Sequence, residues 1–111
     1  MTTRRRRSCL AVPGSNAKML ARAAALPADE LVLDLEDAVA PADKTDATRA
    51  LVVETVRAGA AAPTVAIRIN GIRTKWWRND VAAAAAARPD CVVVPKVESP
   101  DEYGTSIMKS I

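Results

Sequence analysis

The chain has 111 residues, half of them hydrophobic, with 16 Lys+Arg against 13 Asp+Glu. That is one domain's worth of chain, too apolar to be disordered, and no apolar run approaches the roughly 20 residues of a membrane span. The apolar fraction is mostly small: 23 Ala, 12 Val, 7 Leu and 5 Ile, with no Phe. Alanine buries little area, so the core is thin for its hydrophobic content. The absence of His excludes imidazole acid–base work and His-ligated zinc within this chain.

The net charge of +3 is carried by the run Arg4 to Arg7, without which the chain is slightly acidic. Residues 1–7 therefore read as a basic, solvated arm. Such a run can grip a phosphate-bearing ligand or nucleic acid. No aromatic residues interleave with it, which argues against a nucleic-acid partner. The apolar stretch Cys9 to Val12 is too short for a signal-peptide core. With no secretory signal, Cys9 and Cys91 read as buried free thiols of a reducing, cytoplasmic compartment.

Residues 8–12 form an apolar run stopped by Pro13-Gly14, a strand and turn. Ser15 or Asn16 can cap a helix reaching Ala25. Residues 30–35 predict a second strand. Pro41 and Asp43 open a longer helix, with Asp43 as its cap; Ala47, Ala50, Val53, Val56 and Ala60 mark its apolar stripe and Gly59 its end. Residues 64–69 predict a third strand, rich in β-branched side chains. A loop from Asn70-Gly71 runs to Trp76. Asn79 or Asp80 starts an alanine-rich helix through Ala87, and residues 91–94 predict a fourth strand stopped by Pro95.

The order is β-α-β-α-β-α-β. Continuous apolar strands predict a parallel sheet covered on both faces, either doubly wound or a piece of a (β/α)8 barrel. In both, ligands bind at the C-terminal ends of the strands. Those ends carry Pro13-Gly14, Asp34 to Asp37, Arg68 to Gly71 and Pro95 to Glu98.

Each group has a structural and a chemical reading. Asp34, Glu36 and Asp37 cap or solvate a strand end, or form a carboxylate cluster for a hard cation such as magnesium, which takes oxygen ligands and keeps waters. Arg68 inside an apolar strand pairs with Glu36 or Asp37, or presents its planar fork to a substrate carboxylate. Lys96 and Glu98 form a surface ion pair, or face a ligand. Gly14 makes a tight turn whose following amides could face a phosphate. Trp76-Trp77 reads as helix-face packing.

These stretches resemble the citrate lyase β-subunit-like (CitE-like) family of the HpcH/HpaI aldolase group. The resemblance is carried by residues 7–14 (RSCLAVPG), 29–39 (DELVLDLEDAV) and 40–44 (APADK). Residues 68–71 (RING), Trp77 with Asp80, and residues 94–99 (VPKVES) continue it in order. It implies the N-terminal half of a (β/α)8 TIM barrel over residues 8–102. It also implies a Mg2+ ion and a coenzyme A thioester of a small β-hydroxy acid, of citryl, malyl or citramalyl type. Arg68 is then expected to bind the oxo-acid carboxylate, with Glu36 and Asp37 accepting from the metal's waters. Pro13, Gly14, Lys44 and Lys96 are expected near the substrate thioester. The family commonly assembles as homo-oligomers, trimers or hexamers, with no membrane partner.

The direct metal ligands of the family, a Glu and an Asp on the fifth and sixth strands, have no counterpart in these 111 residues. Residues 103–111 depart from the family pattern as a divergent tail. The expectation is a truncated relative of a C–C lyase, inactive alone; the alternative is a non-catalytic module that pairs with a separate C-terminal half or a full-length subunit. Both edges of a four-stranded sheet would be open, which predicts self-association.

Overall fold

The computed structural model describes residues 8–95 and the backbone of 105–109. The basic run Arg4 to Arg7, Lys96 and Glu98 lie outside the described residues. The elements are β1 (Cys9–Pro13), α1 (Ala17–Ala25), β2 (Glu30–Asp34), a 3-10 turn (Pro41–Asp43), α2 (Asp46–Ala58), β3 (Thr64–Arg68), α3 (Trp77–Ala87), β4 (Cys91–Pro95) and β5 (Thr105–Lys109).

The strands lie in chain order in one sheet, β1 to β4 parallel and β5 antiparallel against β4. Because each parallel strand follows its neighbour in the same direction, crossovers of one hand put every helix on the same face. The contacts agree: α1 packs on β1, β2 and α2, and α2 packs on α3, making a single helical layer. A doubly wound sheet needs a reversal in strand order, and none occurs. The fold is thus a partial TIM-barrel-like α/β segment, and the expectation of helices over both faces is corrected. The edges also differ from expectation, since β5 covers β4. Among the described residues the outer strands are β1 and β5.

Strand alternation explains where the core sits. Val12, Leu31, Leu33, Ile67 and Val92 join Leu20 and Ala23 of α1, Val52 of α2, and Ala84 and Ala87 of α3 in one apolar cluster. Of the alternate positions, on the side without helices, Cys9 and Ala11 are exposed and Val32 and Val93 half-buried, while Ala66 and Asp34 are buried. Cys9 is exposed and Cys91 half-buried, so neither is the buried thiol expected. Both occupy the phase of their strands that points away from the helices.

Asn16 caps α1 as expected, its Oδ1 accepting the Met19 amide at 3.0 Å. At α2 the cap is Thr45 rather than Asp43: its Oγ1 accepts the Thr48 amide, while Asp43 belongs to the 3-10 turn and accepts from the Thr48 hydroxyl through its carbonyl. Helix α3 begins at Trp77, so neither Asn79 nor Asp80 caps it. Of the stripe expected on α2, Val53, Val56 and Ala60 pack partly buried against the core, while its N-terminal part is displaced. Ala47 and Ala50 are exposed, and Thr48, Arg49 and Val52 are buried. An arginine took the place an alanine was expected to hold, because Arg49 has a buried acidic partner.

Candidate functional site

The C-terminal ends of β1, β2 and β3 bring Pro13, Asp34 and Arg68 into one row across the sheet. Asp34 is 1% exposed and receives four donors. Arg68 donates from Nε to Oδ1 at 3.1 Å and from Nη2 to Oδ2 at 2.6 Å. The amides of Glu36 and Ala38 donate to the same two oxygens at 2.7 and 3.1 Å. Arg68 was expected to pair with Glu36 or Asp37. The strand register places Asp34 directly opposite it instead, and Glu36 Oε1 stays 3.6 Å from Nε. Burial pushes the Asp34 carboxyl up, but the Arg68 and backbone hydrogen bonds outweigh that and hold it below the usual carboxylate range.

This pairing uses one edge of the guanidinium, the Nε/Nη2 side. The end-on edge, formed by Nη1 and the second Nη2 hydrogen, keeps the geometry that matches a planar carboxylate. The Arg68 side chain is 30% exposed, on the face without helices. Beside it stand Glu36, half-buried, and Asp37, exposed. Burial and the neighbouring Asp37 charge push the Glu36 carboxyl above its usual range, against the pull of Arg68.

Asp34 cannot serve a cation while both its oxygens hold Arg68 and the backbone. Among the described residues no group of three or more acidic, cysteine or histidine side chains is arranged to hold a metal. Of the cluster read as holding a hard cation or its water shell, Asp34 is thus committed to Arg68 and the backbone, which leaves Glu36 and Asp37. Glu36 and Asp37 suit acceptance of hydrogen bonds from a cation's waters.

Lys44 braces this loop from below. Its ammonium donates to the carbonyls of Leu35 at 3.1 Å and Glu36 at 2.6 Å, and to Asn70 Oδ1 at 2.7 Å. Those three bonds match its three hydrogens. It also sits 5.2 Å from the Trp76 ring centre. Asn70 in turn donates from Nδ2 to Leu35 O and to Asp80 Oδ2, and from its backbone amide to Asp80 Oδ2. Arg49 completes the chain, with Nε on Asp80 at 2.8 Å and Nη1 on Asp46 at 2.7 Å. This network was not foreseen. Its one sequence signal was a charge on the buried phase of each of two helices, Arg49 on α2 and Asp80 on α3.

Gly14 is needed for close approach. Its amide donates to Asp34 O at 2.7 Å, and a Cβ there would lie 2.6 Å from Val52 Cγ2 and 3.0 Å from that carbonyl. Its own amide therefore serves the sheet, and Asn16 provides for the first turn of α1. Of the two tryptophans, Trp77 packs against the core, while Trp76 lies beside the Lys44 and Lys75 ammonium groups.

Fold and site together define a singly wound parallel α/β segment with a partly exposed arginine and an acidic loop at its C-terminal edge. The HpcH/HpaI aldolase/citrate lyase family model matches residues 7–109, and the chain belongs to that family. It is 43% identical over 94 residues to a (3S)-malyl-CoA thioesterase of Cereibacter sphaeroides, covering 84% of this chain and 33% of the relative. It is 41% identical over 99 residues to a citrate lyase subunit beta of Leuconostoc mesenteroides, covering 86% and 32%. Among solved structures it resembles a citrate lyase beta subunit of M. tuberculosis complexed with oxaloacetate and magnesium, at TM-score 0.65 and 33% identity over 82% of this chain and 39% of that one. The chain spans about a third of the length of the curated relatives it matches.

Proposed function

We propose that this chain carries the oxo-acid-anchoring side of a magnesium-dependent carbon–carbon lyase site for small β-hydroxyacyl-CoA thioesters. The observation that carries this reading is the end-on edge of Arg68, to which no described residue hydrogen-bonds, at the C-terminal end of the sheet. It matches the carboxylate of a 2-oxo acid in two parallel hydrogen bonds. Relatives of the same family support it, being bound to oxaloacetate and magnesium in one structure and to magnesium, acetoacetate and coenzyme A in another.

In this reading Glu36 and Asp37 accept from the waters of the cation. When bound, magnesium supplies charge that polarises a carbonyl oxygen. Lys44 holds the acidic loop in place through the Leu35 and Glu36 carbonyls. Pro13, Gly14 and Lys44 belong to the side of the site that the thioester approaches, and the family resemblance assigns Lys96 to the same role. The family's direct metal ligands lie on strands other than those described, so the chain by itself is expected to turn over little or no malyl-, citramalyl- or citryl-CoA. Homo-oligomeric assembly and a cytoplasmic setting belong to the same reading. No helix among the described residues is long and apolar enough to cross a membrane.

The test is pyruvate binding, followed by calorimetry with magnesium present. R68Q is expected to lower affinity at least about tenfold, the loss of a bidentate charge-assisted pair. Equal affinity in the two proteins would overturn the assignment. Turnover of those thioesters at the rate of a full-length relative would overturn the expected inactivity.

A further inference from the structure

We infer that Asp34 is a positioning residue that sets both the orientation of Arg68 and the path of the acidic loop. Four hydrogen bonds converge on its carboxylate, two from the guanidinium and two from the amides of Glu36 and Ala38. One buried group thus joins the positive and negative halves of the site.

The physical reason starts from competition. Glu36 and Asp37 both lie near Arg68, and each raises the affinity of the guanidinium for its proton. An arginine without a fixed partner would fold onto those carboxylates and use its end-on edge there. Asp34 takes the side-on edge with two hydrogen bonds, leaving Glu36 as a longer 3.6 Å ion pair to Nε and the end-on edge off both carboxylates. It is 1% exposed, on a strand in register with β3, and its position is tied by its own backbone. Nε is consequently turned toward Asp34, and the guanidinium plane is fixed. The two amide bonds curl residues 35–38 around the same carboxylate, setting the distance from the open fork to Glu36 and Asp37. A pair that served stability alone would need no such division of the guanidinium edges.

The consequence for ligands rests on the function proposed above; the geometry of Arg68 does not. NMR separates the two. In 15N-labelled chain, Arg68 should give a resolved, slowly exchanging Nε–H signal at neutral pH, assigned by its loss in R68K. In D34N that signal should merge with those of the solvated arginines while most backbone amides keep their positions. D34E, which restores the charge on a longer arm, should return a resolved Nε–H signal, but with the Glu36 and Ala38 amides displaced. An unchanged Arg68 signal in D34N overturns the inference. Should D34N fail to fold, the wild-type signal decides: an Nε–H that exchanges as fast as those of the other arginines overturns it, and a protected one that is lost as the Asp34 carboxyl protonates supports it. Pyruvate titration is the second arm, with D34N expected to bind at least tenfold more weakly than wild type. If pyruvate binds neither protein while the Nε–H results hold, the positioning role stands and the proposed function falls.

Discussion

Arg49 and Arg68 each meet an aspartate that is 1% exposed, at 2.8 and 2.6 Å. Their surroundings then diverge. Arg49 is 9% exposed and lies between α2 and α3, with Nε on Asp80 and Nη1 on Asp46. Arg68 is 30% exposed at a strand end, with only its Nε/Nη2 edge on Asp34. The same two residue types thus serve different ends. Where the guanidinium meets a buried carboxylate of the neighbouring helix, as Arg49 meets Asp80, the pair ties elements together. Where one edge remains at the sheet face without helices, the pair presents a ligand fork in the function proposed above. Burial of the aspartate does not distinguish them, and neither does the number of N–H groups used, two on each arginine; the exposure of the guanidinium does.

The largest expected effect comes from breaking the buried pair. D80A would leave Arg49 without its main partner and the Asn70 amide unsatisfied, at a cost of about 3–5 kcal/mol in urea unfolding. A loss under about 1 kcal/mol would mean that the network is dispensable. Next is G14A, in which the new methyl meets Val52, itself fully buried, and the Asp34 carbonyl. The expected cost is about 1–3 kcal/mol, from overpacking beneath the exposed pair.

A pH series tests the exposed pair directly. The folded-state pKa of Asp34 lies below its unfolded value. Its stabilising contribution is therefore complete above the unfolded pKa of about 3.9 and is lost as pH falls through the lower folded value. Urea midpoints for wild type should drop across that acid window, and D34N should flatten the drop. An identical acid limb in both proteins would contradict the pairing.

The smallest effect belongs to Glu36, whose folded pKa is raised by burial and by Asp37. Its ionised form is disfavoured in the fold, so any penalty is present at neutral pH and disappears below its unfolded pKa. E36Q should raise Tm by roughly 1–3 °C at neutral pH and change nothing in acid. A fall in Tm at neutral pH would show that attraction to Arg68 outweighs the burial.

Much of the architecture was legible because apolar runs bounded by glycine and proline mark strands regardless of tertiary context. The four parallel strands fall where residues 8–12, 30–35, 64–69 and 91–94 suggest, within a residue or two at their ends. The antiparallel β5 was not legible, since its partner is chosen by the open edge of β4. Arg68 stood out as a charge in an apolar strand. Its partner did not, because Asp34, Glu36 and Asp37 are nearly equivalent in sequence distance.

The amino-acid sequence by itself determined the alternation of strands and helices, the family, and the collection of polar residues at the strand ends, all of which depend on local pattern. Tertiary structure alone decided that all helices share one face, that Asp34 rather than Glu36 holds Arg68, and that Arg49 reaches Asp80 across 31 residues. Those outcomes depend on strand order, register and helix packing, which bring together groups that no spacing along the chain relates.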